Sequence, residues 1–97
     1  MAHSRVDEAI ADLEQRKRSM RCRELVATLE KLGFEVRDAK LGGHKVYTHP
    51  HLEDFTSGSI NCDHGRNPQI KPAYVANVIR NLKQHRAALE EFLGDRQ

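Results

Sequence analysis

The sequence predicts an α+β domain with the element order α-α-β-β-β-α, in which a three-stranded antiparallel sheet has one face covered by helices. Three observations carry this. Apolar residues recur at helical spacing over residues 5–17, over 22–32 and again after Pro72. Between these stretches the period changes to two, in three short runs. Short glycine- and proline-marked turns join the runs, as in an antiparallel meander. At 97 residues the chain suits one domain. Leu, Val, Ile and Phe make up 22 of those residues, enough for a small core, and a net charge of +2 disfavours disorder.

The first helix opens at Ser4-Arg5-Val6-Asp7, a capping box of the S-x-x-D kind. Val6, Ile10 and Leu13 give it one narrow apolar stripe, and Arg16, Lys17 and Arg18 suit its C-terminal dipole. The second helix faces Leu25, Val26, Leu29 and Leu32 inward, and Gly33 stands where a glycine ends a helix. Phe34 to Asp38 alternates as a half-buried strand, and Lys40-Leu41-Gly42-Gly43 is a turn. His44 to His49 is the second strand, stopped by Pro50, and residues 51–58 read as an irregular connection. Ser59 to His64 is the third strand, broken by Gly65-Arg66-Asn67-Pro68. Pro72 opens the last helix, with Val75, Val78, Ile79 and Leu82 on its apolar face. That stripe lapses at Gln84-His85-Arg86, resumes at Leu89, Phe92 and Leu93, and ends at Gly94. The Val6/Ile10/Leu13 and Leu89/Phe92/Leu93 stripes are therefore expected to pack together, within one chain or between two copies in a homo-oligomer.

No apolar run approaches the ~18 residues of a membrane span. The charged start of the chain lacks the apolar core of a secretory signal, so a cytoplasmic protein with no membrane partner is expected. Cys22 and Cys62 are too few for a disulfide framework and read as reduced thiols. Cations crowd 16–23, bracket the glycine pair as Arg37, Lys40 and Lys45, and recur as Arg80, Lys83 and Arg86. Four of the six histidines fall between 44 and 64.

Taken from Met20, the chain resembles the HicA family of bacterial toxins, small ribonucleases of type II toxin–antitoxin systems. Arg23-Glu24-Leu25 through Gly33-Phe34 is similar to that family's opening helix, which runs into a glycine and an aromatic residue. Gly42-Gly43-His44-Lys45-Val46-Tyr47-Thr48-His49-Pro50 resembles its signature, a Gly-Ser-His turn followed by an aromatic residue and a His-Pro. Cys62-Asp63-His64 sits where a Pro-x-His is frequent, and Pro72 through Lys83 is similar to the closing helix. The resemblance implies a fold like the double-stranded-RNA-binding domain, α-β-β-β-α. Here that fold would carry an extra N-terminal helix and an extended C-terminal helix. It also implies cleavage of mRNA without a cofactor or metal, and neutralisation by a HicB-type antitoxin. Residues 1–19 would then be a helical extension of a 20–97 domain. Gly43 replaces the family's serine.

RNA can be cut by its own 2′-OH attacking the adjacent phosphorus. Histidine suits the proton transfers, because its unperturbed pKa of ~6.5 lies near working pH. Arginine and lysine suit the charge that develops on the phosphorane. His44, uncovered after two glycines, is the expected catalytic residue under the resemblance. Arg37, Lys40, Gly43 and Lys45 are the expected RNA contacts. His64 is a secondary candidate for proton transfer, and Tyr47 for stacking on a base, although packing is the commoner role of a strand aromatic. His49 and His51 flank Pro50 and read as plain surface. Cys62-x-His64 and His49-x-His51 could offer a zinc set, but the spacing matches no standard finger. The rival functions are a non-catalytic RNA-binding module of the same fold, which needs no particular histidine, and a protein-binding module acting through the terminal helices.

Overall fold

The computed structural model describes residues 4–40, 42–63 and 65–94. In chain order these form α1 (Arg5–Arg16), α2 (Cys22–Lys31), β1 (Glu35–Asp38), β2 (His44–Thr48), β3 (Gly58–Asn61), α3 (Pro72–Gln84) and α4 (Arg86–Leu93). The expected order holds, with one correction. The extended C-terminal helix is two helices, broken at His85, whose backbone leaves the helical region at φ −107° and ψ 19°. The lapse at Gln84-His85-Arg86 is the cause. Beyond it Leu89 is fully buried and the Phe92 ring reaches His49 and His51.

Local chemistry sets the helix ends. Ser4 Oγ accepts from the Asp7 N–H at 3.0 Å while the Asp7 carboxylate accepts from the Ser4 N–H, the two halves of a capping box. The Glu24 carboxylate accepts from the Arg21 N–H at 2.8 Å and binds Arg16, which ties the start of α2 to α1. At the end of α2, Phe34 N–H bonds to Leu29 C=O and Gly33 N–H to Glu30 C=O, with Gly33 at φ +94°. This is a Schellman motif, and its left-handed residue explains the glycine.

The sheet runs β1-β2-β3, antiparallel throughout. Its register pairs Val36 with Tyr47 and Tyr47 with Gly58, and pairs Lys45 with both Asp38 and Ile60. Those residues, with His49, share the face that carries buried Tyr47 and Ile60. Glu35, Arg37, His44, Val46, Thr48, Ser59 and Asn61 share the other face, where none is buried. One apolar cluster lies behind the sheet. It takes Val6, Ile10 and Leu13 from α1, Leu25 and Leu29 from α2, Val75, Val78 and Leu82 from α3, and Leu89 from α4. The two terminal stripes thus meet within one chain, and Arg86 forms an ion pair with Asp7 across that junction. Leu52 and Phe55 of the irregular 50–57 connection also join the core, as do Met20 and Ile70.

The cysteines correct a second expectation. Cys22 and Cys62 form a disulfide, with their Cα atoms 5.7 Å apart. Main-chain pairing brings them together: Cys22 N–H donates to Pro68 C=O, Ile70 N–H to Met20 C=O, and Cys62 bridges Ile70. That separation falls in the ordinary range for a disulfide. Among the described residues no helix is long and apolar enough to cross a membrane.

Candidate functional site

His44 opens β2 on the uncovered face of the sheet, half-exposed, opposite Asn61 of β3. Its imidazole takes no hydrogen bond or ion pair from the described residues. Its main-chain carbonyl accepts from the Ala39 N–H at 2.8 Å, which holds the hairpin closed just before the strand. The preceding residue has a structural reason to be glycine. Gly43 sits at φ +80°, and a Cβ there would collide with the Cys62 carbonyl oxygen. Its own carbonyl accepts from the Cys62 N–H at 2.6 Å. The missing side chain therefore makes room for β3, and a serine at this position would be strained.

The structure divides the other expected contacts. Arg37 lies on the His44 face, in the row formed by Arg37, Val46 and Ser59, and its exposed guanidinium reaches Glu35 at 3.1 Å. Lys40 is exposed in the β1–β2 turn. Lys45 is not with them. Alternation turns it to the helix side, where it forms an ion pair with Asp38 and borders a groove against α2. His64 lies outside the described residues. Asn61 is the neighbour of His44 that sequence reasoning left without a role, although alternation already set it on the face opposite Ile60.

Tyr47 is a core residue, 1% exposed. Its ring meets Phe34 edge-on and stacks on Phe55, so neither side is open to a base. Its hydroxyl accepts from the Asn81 side-chain amide at 2.7 Å, and burial raises its pKa. His49 departs most from expectation: it is buried, at 5% exposure, not plain surface. Its Nε2 lies 3.0 Å from the Leu32 carbonyl, and its Nδ1 accepts from the His51 N–H at 3.1 Å. A carbonyl can only accept, so Nε2 carries the proton and the ring is neutral. Burial lowers its pKa, and the hydrogen bond to Leu32 partly opposes that shift. The histidine of the His-Pro pair thus ties an otherwise orphaned carbonyl at the end of α2 to the end of β2. Phe34 and Phe92 both meet its ring edge-on, and the exposed His51 stacks on Phe92.

Both nitrogens of His49 are thus engaged, and the Cys62 sulfur is bonded to Cys22, so the conceivable zinc set is not assembled. Among the described residues no three His, Cys, Asp or Glu side chains converge. No family model, curated protein or solved structure matches the chain. The site offers one histidine with unengaged ring nitrogens, an amide across the strand pair, and a cation one row away on an uncovered sheet face. Such a surface can accept a flexible polyanion and move one proton at a phosphate.

Proposed function

We propose that the chain is an endoribonuclease of the HicA type, cutting mRNA in the cytoplasm with His44 as general acid or base and no metal. The observation that carries this reading is His44 itself: half-exposed on the open face, with both ring nitrogens free and Arg37 one row away. The order from α2 to α3, helix-strand-strand-strand-helix, is also that of the double-stranded-RNA-binding fold. In the reaction proposed, His44 takes the proton of the 2′-OH as that oxygen attacks the adjacent phosphorus, and the 5′-oxygen departs with a proton from solvent. Arg37 and Lys40 hold the phosphate and offset the charge that develops on it. A HicB-type antitoxin would act by covering this face. In a reducing cytoplasm the Cys22–Cys62 bond would persist only where thiol reductants reach it slowly.

The rival reading, an RNA-binding module without catalysis, draws on two observations. Gly43 is explained by the approach of β3, and the one other acid–base side chain on the His44 face among the described residues, Glu35, lies two rows away and is paired with Arg37. One experiment separates the two. A positioned acid or base contributes ~10²–10⁴ in rate. His44→Ala should therefore abolish growth arrest and mRNA cleavage when the chain is induced alone, with the melting temperature and RNA affinity unchanged. Cleavage at the parent rate by a folded His44→Ala protein would remove the catalytic reading. RNA binding without cleavage by the parent would favour the module. Co-expression of a neighbouring HicB-type protein should restore growth.

A further inference from the structure

The most cationic stretch of the chain is not at His44. Residues 16–23 hold five Arg or Lys and no acid. Arg16 is engaged by Asp12 and Glu24, whereas Arg18, Arg21 and Arg23 are exposed. The connection from β3 to α3 is fixed alongside this turn. Arg21 bridges Gln69, the Arg21 guanidinium donates to the Asn67 carbonyl at 3.3 Å, and the Cys22–Cys62 bond closes the junction. Exposed Arg66 and Lys71 flank that connection, whose one described acid is Asp63. None of Arg18, Arg21, Arg23, Arg66 and Lys71 is in an ion pair within the described residues.

Two further features orient this surface. Main-chain pairing continues sideways from the His44 turn, from Gly43 to Cys62, then to Ile70, then to Met20. With neighbouring strands ~4.8 Å apart, the cationic turn stands about 14 Å from the backbone at Gly43. The groove at this end of the sheet has a mixed lining. Val26, Ala27, Pro68 and the disulfide give it an apolar floor, and Arg23, Lys45, Asn67 and one acid, Glu30, supply polar edges.

We propose that this turn and groove form a second RNA-binding surface, which holds the phosphodiester backbone of an unpaired strand a few nucleotides from the phosphate at His44. The inference rests on the ribonuclease reading and adds to it the path of the substrate. Fixing register along a strand is the usual role of phosphate contacts. A protein partner is the poorer fit. Protein interfaces centre on large apolar anchors, and the one large exposed hydrophobic among the described residues is Phe92, on α4.

The test uses the full chain and a 2′-O-methylated single-stranded 12-mer RNA, which binds but cannot be cut. Arg18→Ala/Arg23→Ala/Arg66→Ala leaves untouched the Arg21 contact to Asn67 and every residue assigned to the His44 face. For single strands the slope of log K against log salt is about −0.7 per phosphate contact, so the triple variant should flatten the slope by about 2. Its affinity at low salt should fall more than tenfold. On cleavable RNA its KM should rise with kcat unchanged, and the Arg→Lys triple should restore most of the slope. Parent and triple variant binding with one slope and one affinity would overturn the second surface while leaving the ribonuclease reading intact. Failure of the parent to bind RNA at all would overturn both. Unchanged RNA binding with lost capture of an acidic antitoxin would reassign the surface to a protein.

Discussion

Opening the Cys22–Cys62 bond should remove a large part of the stability of this small fold. The bond closes a loop with a sequence separation of 40. In the chain-entropy model such a loop restricts the unfolded chain by about 4 kcal/mol at 25 °C, and measured values often come out lower. A domain of this size has about 5–15 kcal/mol in total. Both cysteines are buried beside apolar neighbours, so two thiols can stay in place without a polar penalty, and the loss falls mainly on the unfolded-state side. Urea unfolding followed by far-UV circular dichroism, with and without reductant, measures it directly. With a urea m-value of about 1–2 kcal/mol/M, reduction should lower the midpoint by about 2–4 M, or by about half that if the model overestimates. Thiol titration of the same samples shows which form is present. If fully reduced and fully oxidised protein unfold at the same midpoint, the loop-closure argument fails. If the thiols are free before any reductant is added, the pairing itself is wrong.

His49→Phe should keep the ring contacts to Phe34 and Phe92 but leave the Leu32 carbonyl and the His51 N–H unpaired, at a cost of about 1–3 kcal/mol, read as a lower melting temperature. Acid should act through the same residue. Burial holds its pKa below the unfolded value of about 6.5, so the unfolded chain binds a proton that the folded chain refuses. The stability this contributes is fully present above pH ~6.5 and is lost as pH falls below that value through the lower folded pKa. Melting temperatures at pH 7.5 and 5.0 should differ more for the parent than for His49→Phe, and an identical difference would sink the assignment. Gly43→Ala should cost about 1–3 kcal/mol through its positive φ and the crowded Cys62 carbonyl, measured by urea unfolding.

Periodic elements were legible in the sequence because each carries its own signal. The Ser4–Asp7 box marked the start of α1, Gly33 the end of α2, and alternation the three strands. The lapse at Gln84-His85-Arg86 coincides with the break between α3 and α4, but the resumed stripe at Leu89, Phe92 and Leu93 read as one extended helix. What stayed hidden was set by contacts distant in sequence. Leu52 and Phe55 sit in an irregular connection with no period, yet both reach the core. Cys62 leaves β3 to pair with Ile70, which ends the strand at Asn61 and carries its sulfur to Cys22. Nothing in the spacing of two cysteines specifies that meeting. Other signals were present but outweighed. Tyr47 and His49 are two residues apart and so share a face, but Pro50 and the polarity of histidine pointed to surface. The same alternation separates Lys45 from His44, where closeness in sequence had grouped them.

That separation changes how the site must be tested. His44 and His49 bracket a single strand, so a loss of activity on replacing either would invite the same conclusion. Their surroundings argue for opposite causes. His44 is half-exposed with free nitrogens, so its removal costs the fold almost nothing and any loss of cleavage falls on chemistry. His49 is buried with both nitrogens bonded, so its removal uncouples the end of α2 from the end of β2 and loosens the hairpin that carries His44. His49→Ala is therefore unsuited as a neutral control, despite its place in a turn beside a proline. His51, exposed and stacked on Phe92 at the far end of the strand, is the better one. An inactive His44→Ala protein that melts with the parent, beside an inactive His49→Ala protein that melts early, would assign chemistry to the first residue and scaffold to the second. Equal destabilisation by both would leave the open face without a catalytic histidine.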